Sequence, residues 1–278
     1  MNTKLDLVML LMLVVLLVSS GWVDYNTEAS ETVSSDLVEK QSRVVLPFIE
    51  RPDFKSMRDV RRKKKAFFNY MEPILLAENH RLQVLRNRIL DKQNKRQLST
   101  SDKKWLASQG KSYGVKGGDN IDAVFFELLL MRVDVIPVSL ALAQSANESA
   151  WGTSRYAVDG NNFFGQWCFR NGCGLVPKQR PSGAEYEVRK FFDVTNSVRS
   201  YMHNLNTNDG YERLRELRLK QRKSGAPITG PILAEGLHAY SIRGQDYVDE
   251  MIDMISYNNL INYDIQDEKG DSSSFLQK

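Results

Sequence analysis

Apolar residues recur at three- and four-residue spacing along nearly the whole chain beyond residue 54, and the pattern lapses in one place, a turn-rich stretch after Gly165. A helix repeats every 3.6 residues and a strand every two, so neither pattern serves the other without turning its apolar face to water. The chain is therefore restricted to an α+β arrangement of unequal parts, mainly α, with one small β-lobe let into the helices.

The segments follow in order. "KSMRDVRRKKKAFFNYMEPILLAENHRLQVLRNRILDKQNKRQ" carries Phe67, Phe68, Met71, Leu75, Leu82, Leu85 and Ile89 at helical spacing, and Pro73 predicts two pieces with a bend between them. "STSDKKWLASQGKSYGV" opens on hydroxyl capping residues and closes on Gly, which predicts a short helix, and "NIDAVFFELLLMRV" predicts another. Pro137 stands where a helix through "VSLALAQSANESAWG" would start. "GLVPKQRPSGAEYEVRKFFDV" alternates Tyr186 and Val188 against Glu185, Glu187 and Arg189, which predicts a hairpin. Helical patterns return at "TNSVRSYMHNLNTN", "GYERLRELRLKQRKSG", "PILAEGLHAYS" and "GQDYVDEMIDMISYNNL".

The ends differ in character. The apolar run Leu7 to Val18 is shorter than the ~20 residues a spanning helix needs, and Ser19-Ser20-Gly21 follows it. This predicts a secretory signal over residues 1–20, with an uncleaved N-terminal membrane anchor as the alternative. Residues 21–43 are polar and predict a flexible linker, 44–116 an N-terminal helical region, 117–265 the main domain and 266–278 a disordered tail. Export to the periplasm or cell envelope follows from the signal.

With 42% hydrophobic and 26% charged residues and a net charge of +4, the chain has an ordinary globular composition. The basic run Arg61 to Lys65 lacks interleaved aromatics or any groove-binding motif, so it is read as the wet face of an amphipathic helix, and no nucleic-acid partner is expected. The two cysteines, Cys168 and Cys173 in "WCFRNGCG", are close enough to close a small loop as a disulfide in an oxidising compartment; two unrelated thiols are the alternative. The three histidines are scattered and two Cys supply half a zinc shell, so no metal or other cofactor is expected.

The stretch "ALAQSANESAWGTSRYAVDGNNFFGQW" carries the chemistry. On a helix Gln144 and Glu148 share a face, with Trp151 a turn further on, and three alanines keep the helix slim. A carboxylate near a helix C-terminus and in apolar surroundings is pushed toward its protonated form, which a general acid requires. An ordinary solvent-facing Glu is the competing explanation.

"AQSANESAWGTSRYA" followed by "GNNFFGQW" resembles the glucosaminidase domain of flagellar and autolysin peptidoglycan hydrolases, glycoside hydrolase family 73. "YEVRKFFDVTNSVRSYMHNL" and "LHAYSIRGQDYVDEMIDMISYNNLINYD" are similar to later segments of that family, so the resemblance spans roughly residues 121–264. With "RPDFKSM", "KKKAFFNYMEPIL" and "CGLVPKQRPSG" included, the chain is most similar to the Bax-type bacterial branch. The resemblance implies a lysozyme-like helical domain with a β-lobe, peptidoglycan glycan strands as substrate and cleavage of the β-1,4 bond after N-acetylglucosamine. It makes Glu148 the catalytic acid, a β-lobe carboxylate the second group, and Tyr240 a third catalytic residue facing the cleft, its phenol bonding the sugar's N-acetyl group or orienting water, with a core Tyr as the alternative. Glu187 is the preferred second carboxylate and Glu185 the alternative, since on a strand they share a face. Asn161, Asn162, Phe164 and Gly165 are expected on the cleft floor, with Gln144 and Trp151 as further substrate contacts. Retaining, inverting and substrate-assisted routes all stay open, because they differ in carboxylate separation. A lytic transglycosylase and a non-catalytic glycan-binding scaffold are the rival functions; protein partners are unknown.

Overall fold

The structure, a computed structural model, describes residues 50–264 apart from Asp119 and Ser182. The expected signal, linker and tail lie outside the described residues. Nine helices are described: α1 (Val60–Gln93), α2 (Thr100–Ser112), α3 (Ala123–Arg132), α4 (Val138–Glu148), α5 (Arg155–Gly160), α6 (Val194–Thr207), α7 (Glu212–Ser224), α8 (Gly230–Ala234) and α9 (Gln245–Tyr257). Three short strands, β1 (Trp167–Cys168), β2 (Gly174–Leu175) and β3 (Glu187–Arg189), stand between α5 and α6. The architecture is thus α+β and mainly α, as the periodicity requires. Among the described residues no helix is long and apolar enough to cross a membrane.

Helix α1 begins where the Asp59 carboxylate accepts from the Arg62 amide at 2.8 Å. The break expected at Pro73 does not occur, and the helix runs unbroken for 34 residues. Phe67 and Met71 before the proline, and Leu75, Leu82 and Ile89 after it, are all at most 1% exposed. Each such burial is worth about 1.5–3 kcal/mol, so together they outweigh the ~3 kcal/mol cost of an interior proline.

Helix α4 is the buried axis of the molecule, with Leu140, Ala141, Leu142, Ala143 and Ala146 all at 0% exposure. Pro137 caps it without a side-chain bond. Asp264, far along the chain, takes that role: its carboxylate accepts from the Ser139 amide at 2.9 Å, the Ser139 hydroxyl at 2.6 Å and the Gly230 amide at 2.9 Å. The anion thereby meets the positive ends of α4 and α8 together.

A buried charge cluster ties α1, α6 and α7 to the α3–α4 link. Arg218, 1% exposed, donates to the carbonyls of Met131 and Val135, each at 2.9 Å, and to Asn206 Oδ1 at 2.7 Å. Burial pushes the Asp134 carboxyl up, but Arg218, Arg222 and Arg86 outweigh it and hold the group below the usual range. Helix α1 belongs to the same core as the rest: the Asn79 amide exchanges two hydrogen bonds with the Ile136 backbone, at 2.8 and 3.0 Å.

The lobe is a three-stranded antiparallel sheet in the order β1-β3-β2, one strand more than the expected hairpin. The Cys168–Cys173 disulfide closes the turn between β1 and β2. Gly174 sits so close to β3 that a Cβ there would lie 2.0 Å from the Val188 carbonyl oxygen, so only glycine fits this register. Glu187 faces Cys168 across the ladder, whereas Glu185 precedes the strand in exposed loop. The expected strand alternation is therefore cut to three residues.

Candidate active site

Glu148 is the last residue of α4, half-buried, at the end where the helix dipole opposes a negative charge. The chain then turns sharply, with Ala150 and Trp151 at φ 50° and 58° and the Trp151 amide donating to the Ala146 carbonyl at 2.8 Å. That left-handed exit takes Trp151 off the helical face on which it was expected beside Glu148. Its ring instead packs edge-on against Phe67 and Phe68 of α1, with centroids 5.7 and 5.4 Å away.

Three buried side chains stand behind the carboxyl. The Tyr201 hydroxyl donates to Gln144 Oε1 at 2.6 Å, Gln144 Nε2 donates to the Tyr247 hydroxyl at 3.1 Å, and that hydroxyl donates to Glu148 Oε1 at 2.9 Å. Every donor in this chain points toward Glu148, so Oε1 is held as an acceptor and Oε2 is the oxygen left to carry a proton. Oε2 faces Gly165, where an added Cβ would sit 3.3 Å from it at a φ of +64°. A side chain at 165 would both strain the backbone and crowd the acid.

Burial is the main force on Glu148 and pushes its carboxyl up; Glu250 adds to this, Tyr247 and Arg243 oppose it, and the balance leaves the group at about 7. Burial and the charge on Glu148 also raise the Tyr247 and Tyr240 phenols well above their ordinary range, so both remain protonated donors. The Tyr240 ring stacks on Tyr247 at 5.3 Å and 9°, and its hydroxyl donates to the Phe164 carbonyl at 3.1 Å. Phe164 in turn stacks on Tyr201 at 3.8 Å. Tyr240 and Phe164 thus belong to the wall that fixes the acid.

Gln144 is 0% exposed and lies behind Glu148, not on a surface open to a sugar. The Asn161 amide donates to the Phe191 and Phe192 carbonyls, both at 3.1 Å, and its oxygen accepts from Arg51. The Asn162 amide donates to Gln166 and Arg189 carbonyls, both at 2.8 Å, while its oxygen accepts from the Phe164 and Gln166 amides. Both asparagines therefore brace the loop that carries Gly165, and their amide groups are engaged there, not offered to acetamido groups.

The Glu187 carboxylate is buried and accepts from the Gly172 amide at 3.0 Å and the Gly174 amide at 2.7 Å. Those backbone amides hold its carboxyl below the usual carboxylate range. The sulfurs of Cys168 and Cys173 lie beside it, and with both in a disulfide they offer no thiolate to a metal. Glu185 remains exposed.

Tyr201, Tyr247 and the Arg243–Glu250 pair, joined at 2.6 Å, are site residues that no sequence motif marks. A signal for Tyr247 was present: it recurs with Met251 and Ile255 at four-residue spacing, a phenol on a buried helical stripe that must find a partner.

The family model described as mannosyl-glycoprotein endo-beta-N-acetylglucosaminidase, Glucosaminidase, matches residues 125–260. "Protein bax" of Escherichia coli (strain K12) is 32% identical over 207 residues, covering 74% of each chain. No solved structure matches. The matched segment holds both Glu148 and Tyr247, and the longer match reaches beyond it; the chain belongs to the glucosaminidase-domain family as a Bax-type member, a membership that points to a peptidoglycan-related glycosidase of the cell envelope.

Proposed function

We propose that the chain is an endo-β-N-acetylglucosaminidase that cleaves the β-1,4 bond between N-acetylglucosamine and N-acetylmuramic acid in exported peptidoglycan, with Glu148 as general acid. The observation that carries this is the half-buried Glu148 carboxyl, poised at about 7 with Oε1 pinned by Tyr247. Near neutrality much of it holds a proton, and the leaving glycosidic oxygen needs that proton as the oxocarbenium-like transition state forms. Glu187 is the complementary group: its carboxyl is held low while that of Glu148 is raised, a separation that divides base or stabiliser from acid. To act, the lobe carries Glu187 toward the sugar or passes a water between them. Tyr240 and Tyr247 keep the acid aligned.

One observation favours a lytic transglycosylase as the second reading. The Glu187 carboxylate is already engaged by two backbone amides, and a transglycosylase needs only the acid and the substrate's own groups. The acetamido oxygen steadies C1 as the leaving oxygen is protonated, and the 6-hydroxyl then closes the anhydro ring on C1, returning its proton to Glu148. Mass spectrometry of digested sacculi separates the two. Reducing-end N-acetylglucosamine, lost in Glu148→Gln, is expected; anhydromuramic ends would establish the second reading. A scaffold that merely binds glycan would leave sacculi intact with either chain.

A further inference from the structure

The face of α9 that begins at the acid continues past it. Tyr247, Glu250, Met254 and Tyr257 follow one another at three- and four-residue spacing, so they line one side of the helix. At 1.5 Å per residue the line extends about 15 Å beyond Tyr247, roughly three sugar rings. It ends in an open depression of roughly 530 Å³ bordered by Trp151 from the turn after Glu148 and by Lys64 from α1.

Three features of this depression suit a ligand that carries both charge and apolar surface. Tyr257 is 81% exposed although it is a large aromatic residue. Lys64 is held between two rings, its Nζ 4.8 Å from the Trp151 centroid and 4.9 Å from that of Tyr257, and it donates to Asn258 Oδ1 at 3.0 Å. Among the described residues no carboxylate lies within ion-pair distance of that ammonium: Glu250 is paired with Arg243, and Asp253 stands exposed on the same rim. Two rings and one amide hold the cation at the rim of the depression with none of the described carboxylates near enough to neutralise it, which is where an anionic group of a ligand can pair with it.

The lining carries both signs of charge as well as aromatic surface. A polyanion such as a nucleic acid or a phosphodiester polymer would meet Asp253 and Glu250 and be repelled; a ligand with one carboxylate, one amine and an apolar body would not. We propose that this depression is a distal subsite for the peptide substituent of a glycan strand. Lys64 pairs with a peptide carboxylate, Tyr257 and Trp151 cover the apolar part, and Asp253 receives the free amine. This rests on the peptidoglycan substrate proposed above. It also gives α1, which lies outside the matched family segment, a part in substrate choice.

The test is binding by the full chain carrying Glu148→Gln, so that no cleavage intervenes. Three ligands are compared: muropeptide-bearing glycan oligomers, the same oligomers after amidase removal of the peptides, and chitin oligomers. With Lys64→Met added, affinity for the peptide-bearing oligomer is expected to fall about tenfold, and affinity for the other two less than threefold. Lys64→Arg is expected to restore most of the loss, and the gap between Lys and Met to shrink at 0.5 M salt. A loss shared by all three ligands, no loss at all, a loss greatest for the amidase-treated oligomer, or no binding by the Glu148→Gln chain would overturn the subsite. Release of reducing sugars by the unmodified chain is read separately on the same oligomers, so a failure of the hydrolase proposal shows there and leaves the binding result to stand by itself.

Discussion

At the residue scale, protonation of Glu148 links activity to stability. Below about pH 4.5 the carboxyl is protonated whether the chain is folded or not, and it costs nothing. Between there and about 7 the unfolded chain ionises while the folded one holds its proton, so stability falls as pH rises; above about 7 the full penalty is present. The shift corresponds to ~3 kcal/mol, which partial exposure of the group reduces to about 2. Glu148→Gln is therefore expected to abolish cleavage while raising the melting temperature by about 5 °C at pH 8 and hardly at all at pH 4, read by calorimetry at the two pH values. Tyr247→Phe removes a bond that favours the charged carboxylate. The alkaline limb of kcat/KM should then move to higher pH; an unmoved or lowered limb would show that the hydroxyl does not govern the acid. Glu148 stands out in the sequence through the resemblance of its motif, and its position at a helix end in apolar company gives the direction of the shift, though not the choice between an acid and an ordinary surface Glu. The roles of Asn161, Asn162 and Gln144 were not legible there, because residue type does not reveal which partner a polar side chain meets. Here each meets backbone or tyrosine brought close only by the fold.

At the scale of elements, the β-lobe depends on small restraints acting together. The disulfide closes a loop of a few residues, worth about 2 kcal/mol in the chain-entropy account. That loop supplies the Gly172 amide, and the strand residue just after it the Gly174 amide, which together hold Glu187 ionised. Replacing both Cys168 and Cys173 by Ser should lower stability by about that amount and let the Glu187 carboxyl rise toward its ordinary value. The acidic limb of the pH profile would move upward by the same step; an unchanged limb would mean the loop does not set the charge of Glu187. The presence of a lobe could be read from the lapse in helical period. Its third strand could not, since β1 and β2 are two residues each and carry no period at all. Pro73 misled for a related reason: local chain preference was visible, while the buried stripe that overrides it depended on partners elsewhere in the molecule.

At the scale of the whole molecule, α1 is part of the domain's core. Phe67 meets Phe54, Phe163 and Trp151 at centroid distances of 5.6, 6.1 and 5.7 Å, so helix and site share one aromatic cluster. Phe67→Ala should cost about 3–5 kcal/mol in denaturant unfolding. A chain beginning at residue 117 should show no cooperative transition, although it holds every residue of the acid's surroundings from α4 to α9; a cooperative melt of that fragment would show that α1 is dispensable to the core. The period marks helices where α1 and α2 lie, but a helical stripe does not say which face of another element will cover it.

One proton on Glu148 decides the assignment, and carbon-13 NMR of carboxyl-labelled glutamate follows it directly, with Glu148→Gln identifying the resonance. A midpoint near 7 is the predicted result. A midpoint near 4.5 would leave Glu148 ionised throughout the working range and contradict its assignment as the acid.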